Sequence, residues 1–249
     1  GVGSQLNSMY IQMSSAVSTV FVPEVNRVVA AETNSNLYLT RLFAKVGRIQ
    51  FIILSLILTG FIFMGKSFIR IWAGEEYRHS YAISLILMVP VTIPLIQNLG
   101  IEIQRAKNLH KVRSVVYFLI AISNIFVSIP CIRLWGARGA AVGTALTLFA
   151  GNGVFMNWYY QRRIGLDMFY FWKKVSRCII AALPPTTVCV IVSFWLPVTS
   201  WLSFVVWGVV YSLLYGVMAY YFMLNKKEKE SLIAKLLKIG KGFVYLTYK

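Results

Sequence analysis

Seven apolar stretches, at about 4–22, 49–64, 81–99, 115–132, 140–160, 178–196 and 202–224, alternate with short polar gaps along the chain. Each approaches the ~20 residues that cross ~30 Å of hydrocarbon at about 1.5 Å per residue. Hydrocarbon offers no hydrogen-bond partner to a backbone, so runs of this length are expected as helices. Aromatic residues gather at their ends: Trp72 and Tyr77, Trp135, Trp158 to Tyr160, Trp195 and Trp201, Tyr220 and Tyr221. Amphipathic rings favour the headgroup level, which supports these boundaries. The expected fold class is an all-α polytopic membrane protein of about seven transmembrane helices.

Three polar segments are expected as amphipathic helices in the headgroup plane. In 37–46, Leu39, Leu42, Phe43 and Val46 recur at helical spacing beside Arg41 and Lys45. Asp167 can cap a helix over 168–175 with Lys173 and Lys174 at its C-terminal end. In the tail, Leu232, Ile233, Leu236 and Leu237 share a face that Lys235, Lys238 and Lys241 largely avoid.

The charges add a direction. All but five of the 25 Lys and Arg residues lie in every second gap, at 24–48, 101–113, 161–177 and 225–249. The other gaps hold only Lys66, Arg70, Arg78, Arg133 and Arg138. Basic residues beside spans are retained in the cytoplasm, so the basic gaps and the C-terminus are expected inside. A hydrophobic content of 58%, with mean hydropathy +0.67, is too high for a soluble chain of this size. The net charge of +17 therefore reads as orientation and attraction to anionic lipid, and no nucleic-acid partner is expected. With 24–48 inside, the first stretch enters from outside, and the chain begins GVGSQ. The expectation is a piece of a longer protein that lacks an odd number of upstream spans.

Candidate chemistry is sparse. Cys131, Cys178 and Cys189 show no metal or disulfide spacing and read as small apolar fillers. His79 and His110 fall on opposite sides of the membrane and cannot share a metal. No P-loop pattern occurs, so a transporter would draw on an H+ or Na+ gradient rather than a nucleotide. No catalytic constellation is visible, and the expectation is not an enzyme. No Asp, Glu, Lys or Arg lies deep within a stretch, whereas amides and hydroxyls do: Gln5, Asn7, Gln12, Ser14, Ser15, Ser18, Gln97, Asn98, Ser123, Asn124, Asn152 and Asn157. Such groups should face other helices or a wet cavity. Gly139 with Gly143, and Gly136 with Ala140, suit close helix packing. Pro90 and Pro94 should bend their helix. Glu102 and Arg105 are spaced to pair at i, i+3, or else to offer a carboxylate to sugar hydroxyls and a cation to phosphate.

Five segments carry a resemblance: FVPEV at 21–25, FIRIWAGEEY at 68–77, GIEIQRAKN at 100–108, WGARGAAVGT at 135–144 and YYQRRIGLDM at 159–168. In order and spacing they are similar to the polysaccharide (O-antigen and capsule repeat-unit) flippases of the multidrug/oligosaccharidyl-lipid/polysaccharide exporter superfamily. The resemblance implies a two-lobe exporter, with 1–160 as most of the second lobe and 161–177 as an amphipathic linker. Residues 178–224 would be an extra helix pair and 225–249 a basic tail. It implies a bacterial inner-membrane protein that flips an undecaprenyl-diphosphate-linked oligosaccharide, alongside a polysaccharide polymerase and a chain-length regulator. Its candidate substrate contacts are Arg105, Glu102, Asn98, Asn124, Asn152 and Arg70. A cation-coupled multidrug exporter and a peptidoglycan-precursor flippase are the competing expectations within the superfamily.

Overall fold

The computed structural model describes residues 2–31, 35–195, 198–226 and 228–230. Helix α1 (Val2–Thr19) is followed by α2 (Val22–Ala30), where Pro23 stands in the first turn and its missing N–H costs nothing. Next come α3 (Ser35–Trp72), α4 (Ser80–Ile96), α5 (Leu99–Ala106) and α6 (His110–Trp135). Helix α7 (Ala137–Leu148) widens into a π-helical stretch, Phe149–Phe155, and continues through α8 (Met156–Tyr159) to Ile164 as one rod. Helices α9 (Met168–Trp195) and α10 (Trp201–Met218) complete the bundle.

Five of these rods are long and apolar enough to cross a membrane, and the bent pair α4–α5 makes a sixth. The chain is a polytopic, all-helical membrane protein. The seventh expected span forms a helix, α1, but it is too polar to stand among the other six.

Two interfacial helices expected from the sequence are instead the ends of spans. The 37–46 segment is the start of α3, whose 38 residues reach about 57 Å, well beyond the hydrocarbon. Its apolar face is buried by protein rather than by headgroups: Phe43 stacks on Phe171 of α9 at 4.6 Å and meets Tyr160 at 5.7 Å. The 168–175 segment likewise opens α9 without a break, with Asp167 Oδ1 accepting from the Tyr170 amide at 2.8 Å as its cap. The amphipathic helix expected in the tail lies outside the described residues.

Helix α3 is the mast. Its first half packs with α1, α4, α5 and the start of α9 around Leu54, Leu95, Leu99 and Phe171. Its second half packs with the later turns of α9 and with α10 around Phe63, Met64, Tyr211 and Tyr215. Gly47 permits the first contact, because a Cβ there would lie 2.4 Å from the Phe171 ring and 2.7 Å from the Ile96 carbonyl. Beside the former packing, Arg48 is buried and pairs with Glu228 beyond α10, clipping the segment after α10 to the mast.

Polar α1 is held in the bundle by one face. Tyr10, Ser14 and Ser18 follow at i, i+4 and i+8, and all three are buried. The Tyr10 hydroxyl meets Thr92 Oγ1 at 2.8 Å. The Gln50 amide of α3 donates to Ser18 Oγ at 2.7 Å and to the Ser14 carbonyl at 3.2 Å. Ser14 Oγ in turn donates to the Leu95 carbonyl at 2.8 Å, beside the break between α4 and α5.

That break is a 41° bend at Gln97–Asn98, one turn after Pro94. The amides of Gln97 and Asn98 bond three residues back, to Pro94 and Leu95, so the helix tightens before it turns. The α6–α7 hairpin turns at Gly136, which takes φ +58°, so this glycine serves the turn rather than helix packing. Close packing falls to Gly139 and Gly143, where an added Cβ would meet the Cys131 carbonyl oxygen at 1.9 Å and Ser128 Oγ at 2.4 Å.

Gly139→Ala should therefore destabilise the detergent-solubilised protein by about 1–3 kcal/mol, read as a lowered Tm. Gly216→Ala, with nothing within 4 Å of the new Cβ, should hold or raise Tm. Equal midpoints for the two variants would contradict the close α6–α7 contact.

Candidate functional site

The face of α1 opposite its buried stripe is exposed and polar. Gln5, Ser8, Gln12 and Ser15 lie along it, beside exposed Met9 and Met13. Helix α6 offers a contrast, presenting Phe118, Leu119, Ile125 and Phe126 as a lipid-facing helix does. Ser8 Oγ donates to the Ser4 carbonyl at 3.0 Å, whereas the amides of Gln5 and Gln12 would cost free energy against hydrocarbon and suit water or a polar ligand. Their donor–acceptor mix matches sugar hydroxyls, and the methionines add an adaptable apolar surface. The α1 face is the candidate site.

The sequence-predicted site residues do not converge. Asn98 turns inward, its Nδ2 donating to Ser14 Oγ at 2.9 Å, so it secures the bend that carries α1. Glu102 and Arg105 are brought together on α5, with Arg105 Nη1 donating to Glu102 Oε1 at 2.9 Å. Of the two arrangements left open by their spacing, this is the pair. Arg105 remains 64% exposed, so the ion pair contributes little stability and leaves guanidinium N–H groups for another acceptor. Asn124 accepts from Ser128 at 2.7 Å and from Thr144 at 3.4 Å, inside the α6–α7 hairpin. Asn152 is buried in the π-helical stretch, where its Oδ1 accepts from Tyr117 at 3.4 Å and its Nδ2 has no partner among the described residues. Arg70 stands at the far end of α3 and donates to the Val198 carbonyl at 3.0 Å.

Three groups position the site without having been singled out for it: Gln50, Tyr10 and Thr92. Gln50 stands at the very start of the 49–64 apolar stretch, two residues after Arg48, where a polar side chain reads as the edge of a span. The i, i+4, i+8 spacing of Tyr10, Ser14 and Ser18 was the available signal. Asn157 has a similar bracing role. Its Oδ1 accepts from Gln97 at 3.1 Å and Trp172 at 2.8 Å, while its Nδ2 meets the carbonyls of Asn152 and Gly153 at 3.0 and 2.8 Å.

At the basic end, Lys107 ties the turn after α5 to its neighbours. Its Nζ donates to the Ile164 carbonyl at 3.0 Å, at the C-terminus of the α7–α8 rod, where a cation suits the helix dipole, and to Asn36 Oδ1. Burial pushes the Lys107 ammonium below the usual lysine range. Arg113 lies over the Tyr117 ring, 4.8 Å from its centroid, and donates to the hydroxyls of Tyr117 at 2.8 Å and Tyr160 at 3.4 Å.

Among known proteins, the chain is 26% identical over 181 residues to the uncharacterized membrane protein EpsK of Bacillus subtilis (strain 168). The match covers 72% of this chain and 36% of that protein, so the chain spans about a third of its relative's length. No protein-family profile matches, and no solved structure does. The chain is thus a multi-pass membrane protein similar to a membrane protein of a bacterium.

Proposed function

We propose that the chain contributes one lobe of a transporter that moves a polyprenyl-diphosphate-linked oligosaccharide across the bacterial plasma membrane. One observation carries this reading: a helix packed among membrane-spanning rods turns a file of amides and hydroxyls outward, beside a broken span. Sugars and a diphosphate cannot cross hydrocarbon unaided, so their carrier needs a hydrated polar wall along the membrane. Discontinuous spans at such walls are a recurrent feature of secondary transporters. The five segments similar to polysaccharide flippases point to the same substrate class. Helix α1 would line the pathway, and Arg105, at the basic end, would meet the diphosphate with the N–H groups its pair with Glu102 leaves free.

On this reading the basic end faces the cytoplasm, the remaining wall comes from the rest of the longer protein, and an H+ or Na+ gradient drives transport. A polysaccharide polymerase and a chain-length regulator would act on the far side.

Full-length protein in liposomes, loaded with a fluorescent undecaprenyl-diphosphate oligosaccharide, tests the reading by quencher accessibility. Lipid exchange between leaflets should rise well above protein-free vesicles, and Gln12→Leu should abolish the rise. Arg105→Gln should reduce the rate by about tenfold at unchanged protein level. Export of amphipathic cations with no movement of the glycan lipid would contradict the proposal and favour a drug exporter.

A further inference from the structure

The end opposite the basic one carries five cations, and four of them share one place. Lys66, Arg70, Arg78 and Arg138 line a single open cavity of about 560 Å³, in which Glu75 is the one acid. Three separate elements bring them there. Lys66 and Arg70 sit one turn apart near the end of α3, Arg78 precedes α4, and Arg138 opens α7 directly after the Gly136 turn. Basic residues are sparse on this end of the chain, so their concentration in one cavity is not explained by orientation in the membrane.

Neither of the ion pairs among the described residues involves these four cations; they are Arg48–Glu228 and Arg105–Glu102. Instead, groups that carry no negative charge steady three of them. Arg70 donates to the Val198 carbonyl at 3.0 Å, the Arg138 guanidinium lies 3.3 Å from His79 Nδ1, and the Lys66 ammonium lies 5.5 Å from the centroid of the Tyr81 ring. These contacts fix positions without neutralising charge. Four like charges around one cavity, with a single carboxylate among them, repel one another until an anion enters.

We infer that this cavity is a phosphate-binding site, taking a phosphate or diphosphate ester at the membrane surface. Guanidinium forks match phosphate oxygens two at a time, and the Lys66 ammonium adds a compact charge. Two sources share this chemistry, a phospholipid headgroup and the diphosphate of a prenyl lipid. The inference rests on the cavity alone and holds whether or not the chain moves lipid-linked glycans.

The test places a reporter in the cavity of the full-length protein: Ser67→Cys, with native cysteines replaced, modified by an uncharged maleimide. Sodium pyrophosphate should slow modification about tenfold, and Arg78→Gln with Arg138→Gln should remove that protection. Arg133→Gln, the fifth cation of this end, should leave it intact. Stronger protection by farnesyl diphosphate than by phosphatidylglycerol identifies a prenyl diphosphate as the occupant; the reverse order identifies a headgroup. Isothermal titration of pyrophosphate without the added cysteine should show at least about fivefold weaker binding in the double variant than in Arg133→Gln. Absence of protection by all three probes, or equal binding in the two variants, would overturn the site.

Discussion

A primary amide buried in a membrane bundle must find partners, because the surrounding hydrocarbon supplies none. The Nε2 group of Gln50, fully buried on α3, finds them in Ser14 and Ser18 of α1, while its Oε1 has no partner among the described residues. Ser14 then donates to the Leu95 carbonyl and accepts from Asn98, so one hydroxyl joins the mast, the polar helix and the bent span. The rotation of α1 follows from this node. With Tyr10, Ser14 and Ser18 turned inward, helical geometry leaves Gln5, Ser8, Gln12 and Ser15 on the other side.

The same node braces the break in the span at Asn98. Pro94 disfavours a regular continuation, the helix tightens as Gln97 and Asn98 bond three residues back, and Ser14 of α1 adds a second donor to the Leu95 carbonyl. A break steadied by hydroxyls and amides, rather than by apolar packing, can exchange partners at low cost. That property suits a wall that must open alternately to the two sides of a membrane.

Much of the architecture was legible in the sequence, for identifiable reasons. Hydrocarbon thickness and basic gaps mark the five apolar rods and the bent pair, because length and charge are local properties. The 37–46 and 168–175 segments were misplaced because an amphipathic face looks the same whether protein or lipid covers it; Phe43 against Phe171 decides the matter only in three dimensions. Gly139 and Gly143 declared their role through spacing, whereas Gly136 shared the spacing and serves a turn. The candidate site was half visible. Gln5, Gln12 and Ser15 stood out as polar groups in an apolar run, but which of α1's polar groups face inward depends on Gln50, far away in sequence. Asn98, Asn124 and Asn152 were equally conspicuous, and all three serve helix contacts. The anion cavity was the least legible, since its cations come from three elements and Arg138 lies sixty residues beyond Arg78 in the chain.

The central claim is that the outward face of α1 meets water in the assembled membrane protein. Single cysteines at Gln5, Ser8, Gln12 and Ser15, introduced into the full-length protein in native membranes, test it through their reaction with a membrane-impermeant thiol reagent. The account predicts modification at these positions, and none at Ser14 within the node or at Phe126 on the apolar face of α6. Unreactive cysteines all along α1, indistinguishable from that at Phe126, would contradict it.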